Sequence, residues 1–349
     1  MSAPDINNWT PYAFTPLYLT EEEGRPICAA VVKGTFVIEG GGRVRLADAQ
    51  IPINLAGKYW GVPGQSSYRY EPETAFVKLA TDVVLVGAAH APRPGANAVD
   101  VHLQVGPLRK VVRVFGDRYW SRGLAGVSMT SAQPFERIPL TYENAYGGWD
   151  RTGADAARHS FEPRNPVGNG FAAKNSFQEG MKLPNLEDPA ALIQSHQDTP
   201  VPAGFGFISP QWQPRSSHAG TYDKSWRQQR MPLLPRDFNR RFFSAASPGL
   251  VATDYLLGNE SVAVANASPE GMLAFTLPGV PPPQCDIEIR RRGTESPPAR
   301  LDTVIVDLDA RLVLMIWRSY VAIPEGPHNI AAIDVHTDAY PKAPAPSEP

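Results

Sequence analysis

The chain has 349 residues, a formal net charge of −2, 36 Pro, 29 Gly and 42% hydrophobic residues. Pro and Gly together exceed the roughly 12% of average usage; Pro ends helices and Gly weakens them, so the excess disfavours a helical protein and suits short strands joined by many turns. No stretch carries the concentrated basic stripe that phosphate backbones require, which argues against nucleic acid as a partner.

The N-terminus has no basic flank followed by an apolar run, and no apolar stretch reaches about 18 residues, so the sequence predicts a cytoplasmic protein without membrane insertion. Residues 1–25 read as an N-terminal segment. Over 26–53 a strand, a glycine turn and a second strand follow: Val31, Lys33, Thr35 and Val37 alternate with Val32, Gly34, Phe36 and Ile38, and Gly40, Gly41 and Gly42 supply the tight turn. Residues 74–88 and 98–116 continue in the same style, the second run broken at Gly106-Pro107 into two strands.

Between 117 and 243 short apolar clusters alternate with Pro, Gly, Asn and aromatic residues. Only brief helices are expected there, around 140–146, 188–193 and 237–242, the last with Asp237 as cap candidate. Within it, GFGFISPQWQPRSSHAGTYDKSWRQQRMPLLPRD (204–237) follows neither helix nor strand periodicity. Phe205, Phe207, Trp212, Tyr222, Trp226 and the adjoining Phe238 must anchor such a segment side chain by side chain, which predicts an ordered, functional loop.

Strands return from Ser261 as SVAVANAS, GMLAFTLP, CDIEIRRRG, LDTVIVDLDARLVLMIWRSYVAI and HNIAAIDVHT, the fourth containing a hairpin that turns at 308–310. Arg290, Arg291 and Arg292 read as the solvated end of a strand. The Pro-rich tail, 338–349, is expected to be disordered. Together these elements predict an all-β protein with a few short helices, a single domain over 26–337. Its sheets at the two ends pack on each other like a sandwich, and the aromatic-rich middle is draped over them.

Cys28 and Cys285 lack CxxC spacing and read as buried thiols. The histidines His90, His102, His159, His196, His218, His328 and His336 form no HExxH, HxH or HxxxH pair, and neither a GxSxG elbow nor a phosphate-binding glycine loop is present. No metal or cofactor is therefore expected. Glu143, Glu187, Asp223 and Asp237 are the carboxylates that an acid/base pair would draw on, although each also reads as a turn or cap residue. The strongest signal is aromatic: Tyr, Trp and Arg dominate protein interfaces, and the middle third interleaves them. Candidate partner contacts are Arg118, Trp120, Tyr146, Trp149, Trp212, Tyr222 and Trp226.

The succession KGTF (33–36), GDRYW (116–120), ERIPLTYENAYGG (136–148), NPVGNGF (165–171), LPNLEDP (183–189), AGTYDKSW (219–226), MPLLPRDFNRRFF (231–243) and LLGNESVAV (256–264) resembles one bacterial family over residues 27–277. That family is the type VI secretion accessory proteins, a domain of unknown function encoded beside effector and spike genes. The resemblance implies an adaptor or chaperone that holds an effector or spike-tip protein and helps load it onto the secretion spike, without enzyme activity. Within the motifs, Gly147, Gly148, Asn165, Gly168, Gly170, Gly220, Asp223 and Asp237 suit a shared framework of tight turns and caps. Two other readings fit the residues. One is a carbohydrate-binding or carbohydrate-active protein using the Trp/Tyr loops with Glu143 and Asp223; the other is a structural component of the secretion apparatus.

Overall fold

A computed structural model of the chain describes residues 3–342 apart from 125, 153, 154, 174–176 and 178. The fold is all-β. A six-stranded sheet runs in the order Ala13–Thr20, Pro26–Ile38, Leu312–Ala322, Arg300–Asp307 and Asp82–Val86, with Val44–Leu46 paired to the Pro26–Ile38 strand. A five-stranded sheet has the order Leu186–Glu187, Leu108–Phe115, Ala98–Val105, Ser261–Ala265 and Met272–Thr276. Asp5–Asn8, Ile330–His336, Gln284–Ile289 and Gly293–Glu295 make a four-stranded sheet.

Both larger sheets interleave the two ends of the chain. The expected arrangement, one layer from each end, is therefore corrected: Pro26–Ile38 pairs with Leu312–Ala322 along its whole length, and Ala98–Val105 pairs with Ser261–Ala265. Neither end alone could complete its hydrogen-bond ladder, and an unpaired interior strand would leave its amides unsatisfied. The N-terminal segment joins in as well. Ala13–Thr20 forms the edge of the six-stranded sheet, and Asp5–Asn8 pairs in parallel with Ile330–His336.

The five-stranded sheet shows the alternation of a half-covered layer: Val99, Val101, Leu103 and Val105 are buried, while Ala98, Asp100, His102 and Gln104 point the other way. The six-stranded sheet is covered on both faces, and its Arg300–Asp307 strand is buried from Leu301 onward. Register places Val32 opposite Trp317 and Val304 opposite Met315 on one apolar face. The other face carries Lys33 and Thr303, both opposite Ile316, with Asp82 opposite Thr303. Charges thus lie inside the protein.

The hairpins turning at 40–42 and 308–310, and the break at Gly106-Pro107, form where expected. Of 74–88 only Asp82–Val86 is a long strand; ahead of it Lys78 turns inward to Glu71 and Asp82 at 2.8 and 2.7 Å. No helix forms over 188–193, where the Asp188 and Glu187 carboxylates accept the amides of Ala190 and Ile193 and hold a turn. Near 237–242 a 3-10 turn covers Arg240–Phe243, capped by Asn239 in place of Asp237. The single α-helix among the described residues, Lys224–Gln229, arises where Asp223 accepts the Trp226 amide at 2.8 Å. At the start of the tail Thr337 bridges to Tyr340 and Lys342 pairs with Asp334; residues 343–349 lie outside the described residues.

Candidate functional site

Two of the shared motifs fold into one knot. Tyr146–Gly147 and Asn169–Gly170 pair in parallel, and the wholly buried Asn165 donates its amide to the carbonyls of Tyr142 and Tyr146 at 2.8 and 3.0 Å. Gly147, at φ 151°, could not carry a side chain, because a Cβ would lie 2.1 Å from the Asn165 carbonyl oxygen. Gly168 is equally confined, its Cβ position being 2.4 Å from the Ala145 oxygen. Gly148 and Gly170 complete the same crossing with φ of 99° and 88°. A second knot joins Gly220 to Asp237, which accepts the Thr221 amide and hydroxyl at 3.0 and 2.7 Å. These glycines, Asn165 and Asp237 hold tight turns and crossings, and Asp223 caps the helix that follows it.

The aromatic candidates divide by burial. Trp212 is 5% exposed and meets Tyr142 edge to face in the main core. Trp120 and Tyr146 fill a smaller core with Leu183 and Ile193. Arg118 is buried over the Phe115 ring, bonded to the Glu187 carboxylate and the Pro184 carbonyl. Direct contact by these four is corrected: their side chains are spent on internal packing, and a partner cannot reach them without unpacking the protein. Tyr222, 50% exposed, packs edge to face on the half-buried Trp226, whose indole N–H donates to the Leu233 carbonyl at 2.8 Å.

Trp149 is the outward-facing tryptophan of the knot, 45% exposed. Its bridge partner Phe161 stacks on it with ring centroids 4.5 Å apart, and the Arg151 guanidinium lies 5.0 Å above the indole. Beneath them Asp150 is buried and accepts the amides of Thr152 and Ala173 at 3.0 and 2.8 Å, which fixes the turn. Trp149 borders a groove of about 410 Å³ lined also by Gly148, Arg151, Gly170, Phe171 and Lys182. It offers ring faces, backbone and cations: chemistry suited to holding a ligand. The sequence singled out Trp149 but not its partner Phe161, because the pairing arises from a two-residue bridge with no strand pattern.

Carboxylates available for acid/base work are engaged elsewhere. Glu143 accepts the Ser67 amide and hydroxyl at 2.6 and 2.8 Å, Asp223 caps the helix, and Glu187 holds Arg118 and the Ile193 amide. Sequence reasoning missed the buried ionic face of the central sheet. There Lys78 bonds Glu71, Asp82 and Thr303, Arg215 bonds Glu71 at 2.9 Å, and Arg318 Nε lies 2.9 Å from Asp302. Burial opposes charge on Lys78, yet the nearby Asp82 and Glu71 outweigh it and raise its pKa. Burial likewise opposes charge on Glu71, but Lys78 and Arg215 prevail and lower its pKa, whereas for Asp82 burial wins and raises it. The one legible signal was the run YEPETAFVKLATD (70–82), in which charges interrupt apolar residues without helical or strand spacing.

A further polar hub links Lys110 to Ser247 Oγ at 2.6 Å and to the Pro248 carbonyl at 2.7 Å; Tyr142 donates to the same Ser247 Oγ, which donates to the Gly204 carbonyl. Ser247 thereby uses its one donor and both acceptor positions. Among the described residues no group of three His, Cys, Asp or Glu side chains could hold a metal ion, and no helix is long and apolar enough to cross a membrane.

The described residues thus form an all-β scaffold in which a glycine–asparagine knot displays an aromatic pair. The chain belongs to the bacterial family described as "uncharacterized protein conserved in bacteria (DUF2169)", whose model matches residues 23–318. No curated protein and no solved structure matches it.

Proposed function

We propose that the protein is a non-enzymatic binding adaptor that docks a partner protein on the Trp149–Phe161 face. The carrying observation is the exposed pair of rings, stacked on each other and held by a rigid knot before any partner arrives. Preordered aromatic side chains lose little conformational entropy on binding, which is what interface hot spots exploit. The resemblance of the KGTF, AYGG, NPVGNGF and AGTYDKSW motifs to type VI secretion accessory proteins supports, as the proposed partner, an effector or spike-tip protein held in the cytoplasm for loading onto the spike.

Co-purification with the effector or spike-tip protein encoded beside this chain tests the reading. Trp149→Ala and Phe161→Ala should each weaken that complex by about 2 kcal/mol. A complex untouched by both substitutions would remove this face as the docking site.

The same exposed indole beside a groove also favours a second reading, a carbohydrate-binding protein in which Trp149 stacks on a sugar ring. Glycan-array binding abolished by Trp149→Ala would establish it, and silence across the array would discard it. A structural component of the secretion apparatus would instead form stoichiometric oligomers, which light scattering of the purified chain would detect.

A further inference from the structure

The outer edge of the Leu108–Phe115 strand is paired for only part of its length. Glu187 and Leu186 pair antiparallel with Arg113 and Val114, and the Phe115 amide donates to the Asn185 carbonyl. After Glu187 the chain turns away, with the Ala191 amide closing on the Asp188 carbonyl. The strand's other edge is fully used by Ala98–Val105. In an antiparallel ladder the N–H and C=O of one residue point to the same side and those of the next to the other. Because Phe115 bonds outward, Arg109 and Val111 also turn their N–H and C=O outward. Among the described residues no backbone group pairs with them.

These groups face a trough of about 430 Å³ whose far wall includes Pro189, Val201, Pro202 and Pro248. Three of those four have no N–H to offer a neighbouring strand. Val201 is exposed there. Lys110, between the two free positions, is held only by the neutral oxygens of Ser247 and Pro248, leaving one of its three ammonium donors for another acceptor. Burial lowers its pKa to about 8, with Asp188 opposing the shift, so the site gains from an added negative charge. Arg109 is exposed on the same rim.

We propose that this edge is a second binding site, taking an extended segment of a partner protein as an added strand. The incoming strand continues the line of Leu186–Glu187, antiparallel to Leu108–Phe115, and bonds the main chain of Arg109 and Val111. An acidic side chain on its residue opposite Lys110 meets the ammonium group. Strand addition draws its affinity from main-chain bonds and its selectivity from alternate side chains, here one carboxylate. The site is separate from the Trp149 face, so either can fail without the other.

Amide hydrogen exchange on the full chain tests the proposal, using as probe a short acetylated peptide of alternating valine and threonine with a central aspartate. A second peptide with lysine at the centre is the control. The aspartate peptide should slow exchange of the Arg109 and Val111 amides by about tenfold or more, leaving Lys110 and Val112, already bonded to the neighbouring strand, unchanged. The lysine peptide should bind at least about tenfold more weakly. Val111→Pro, which removes one outward N–H at an edge position where proline is tolerated, should abolish the protection. Should that variant fail to fold, N-methylation of the peptide at the residue facing Val111 gives the same readout. Unchanged exchange at Arg109 and Val111 under saturating peptide, or equal binding of both peptides, would overturn the proposal.

Discussion

Lys33 Nζ lies 2.7 Å from Glu73 Oε2, with both side chains buried against the polar face of the central sheet. The lysine of the KGTF motif is thus an interior residue. Burial lowers the pKa of Lys33 and raises that of Glu73, each opposed by the other's charge, so the partners depend on one another. Glu73 also accepts the Asn54 amide at 2.8 Å, tying the loop before it to the sheet. Lys33→Met strands the carboxylate and should cost about 3 to 5 kcal/mol in urea unfolding. Adding Glu73→Gln keeps an acceptor for Asn54 without the orphaned charge, and should recover most of that loss. A single-variant cost below about 1 kcal/mol would show that the pair is not a structural unit.

Asn165 ties the Tyr142 and Tyr146 carbonyls together with one side chain, so its loss should be felt in the knot. Asn165→Ala removes the bonds to both carbonyls, of which that of Tyr142 keeps the Ala145 amide as a partner, and this predicts a loss of about 1 to 3 kcal/mol. Gly147→Ala should be at least as severe, because the new methyl group meets the Asn165 carbonyl. Thermal unfolding measures both. Native-like melting of Gly147→Ala would contradict the crossing described for these loops.

Tryptophans of the middle segment should separate cleanly by assay. Trp212→Ala empties a site in the main core beside Tyr142 and should cost about 3 to 5 kcal/mol of stability. Trp149→Ala trims an exposed ring and should change stability by no more than about 0.5 kcal/mol. Its effect belongs in the partner assay. Equal destabilisation by both would mean that Trp149 is a packing residue after all.

Both thiols should be silent in the native protein. Cys28 and Cys285 are buried, and burial pushes each pKa up to about 12, so almost no thiolate is available at neutral pH. A maleimide should label neither until denaturant unfolds the chain. Rapid labelling of the native protein would show that the sheet carrying the labelled thiol opens readily, the six-stranded sheet for Cys28 and the four-stranded sheet for Cys285.

Strands such as Ala98–Val105 were legible because alternation is a local property, visible without knowing what lies alongside. Sheet order was not. Nothing in Pro26–Ile38 says that its neighbour is Leu312–Ala322, because pairing is decided by tertiary fit across nearly the whole chain. The tryptophans were hardest to sort: in a segment without periodicity, Trp212 and Trp149 carry the same local signal, and only the packing of Tyr142 or Phe161 against them separates core from surface. Buried charge leaves only a faint local trace: charges interrupt the apolar residues around Lys78, but nothing in the sequence there says that Asp82 and Glu71 are brought to it.

Glu22 and Arg240 join the N-terminal turn to the end of the irregular middle, with Arg240 Nε 2.6 Å from Glu22 Oε1 and Nη2 3.0 Å from Oε2. The hydrogen bonds from Arg240 hold the Glu22 carboxyl below its usual pKa, against a smaller opposing effect of burial. The folded state therefore binds fewer protons at this site than the unfolded chain, for which the glutamate pKa is about 4.3. Stability from the pair is fully present above that value and is lost as pH falls through the lower native pKa. The pair is partly exposed, so its contribution is about 0.5 to 1 kcal/mol. Comparing the wild type with Glu22→Gln cancels the titration of the other carboxylates. The difference in unfolding free energy should be constant from about pH 7 to 5 and shrink toward zero below about pH 4. A difference of the same size at pH 3 would mean that packing of the Glu22 side chain, and not its charge, holds the N-terminal turn in place.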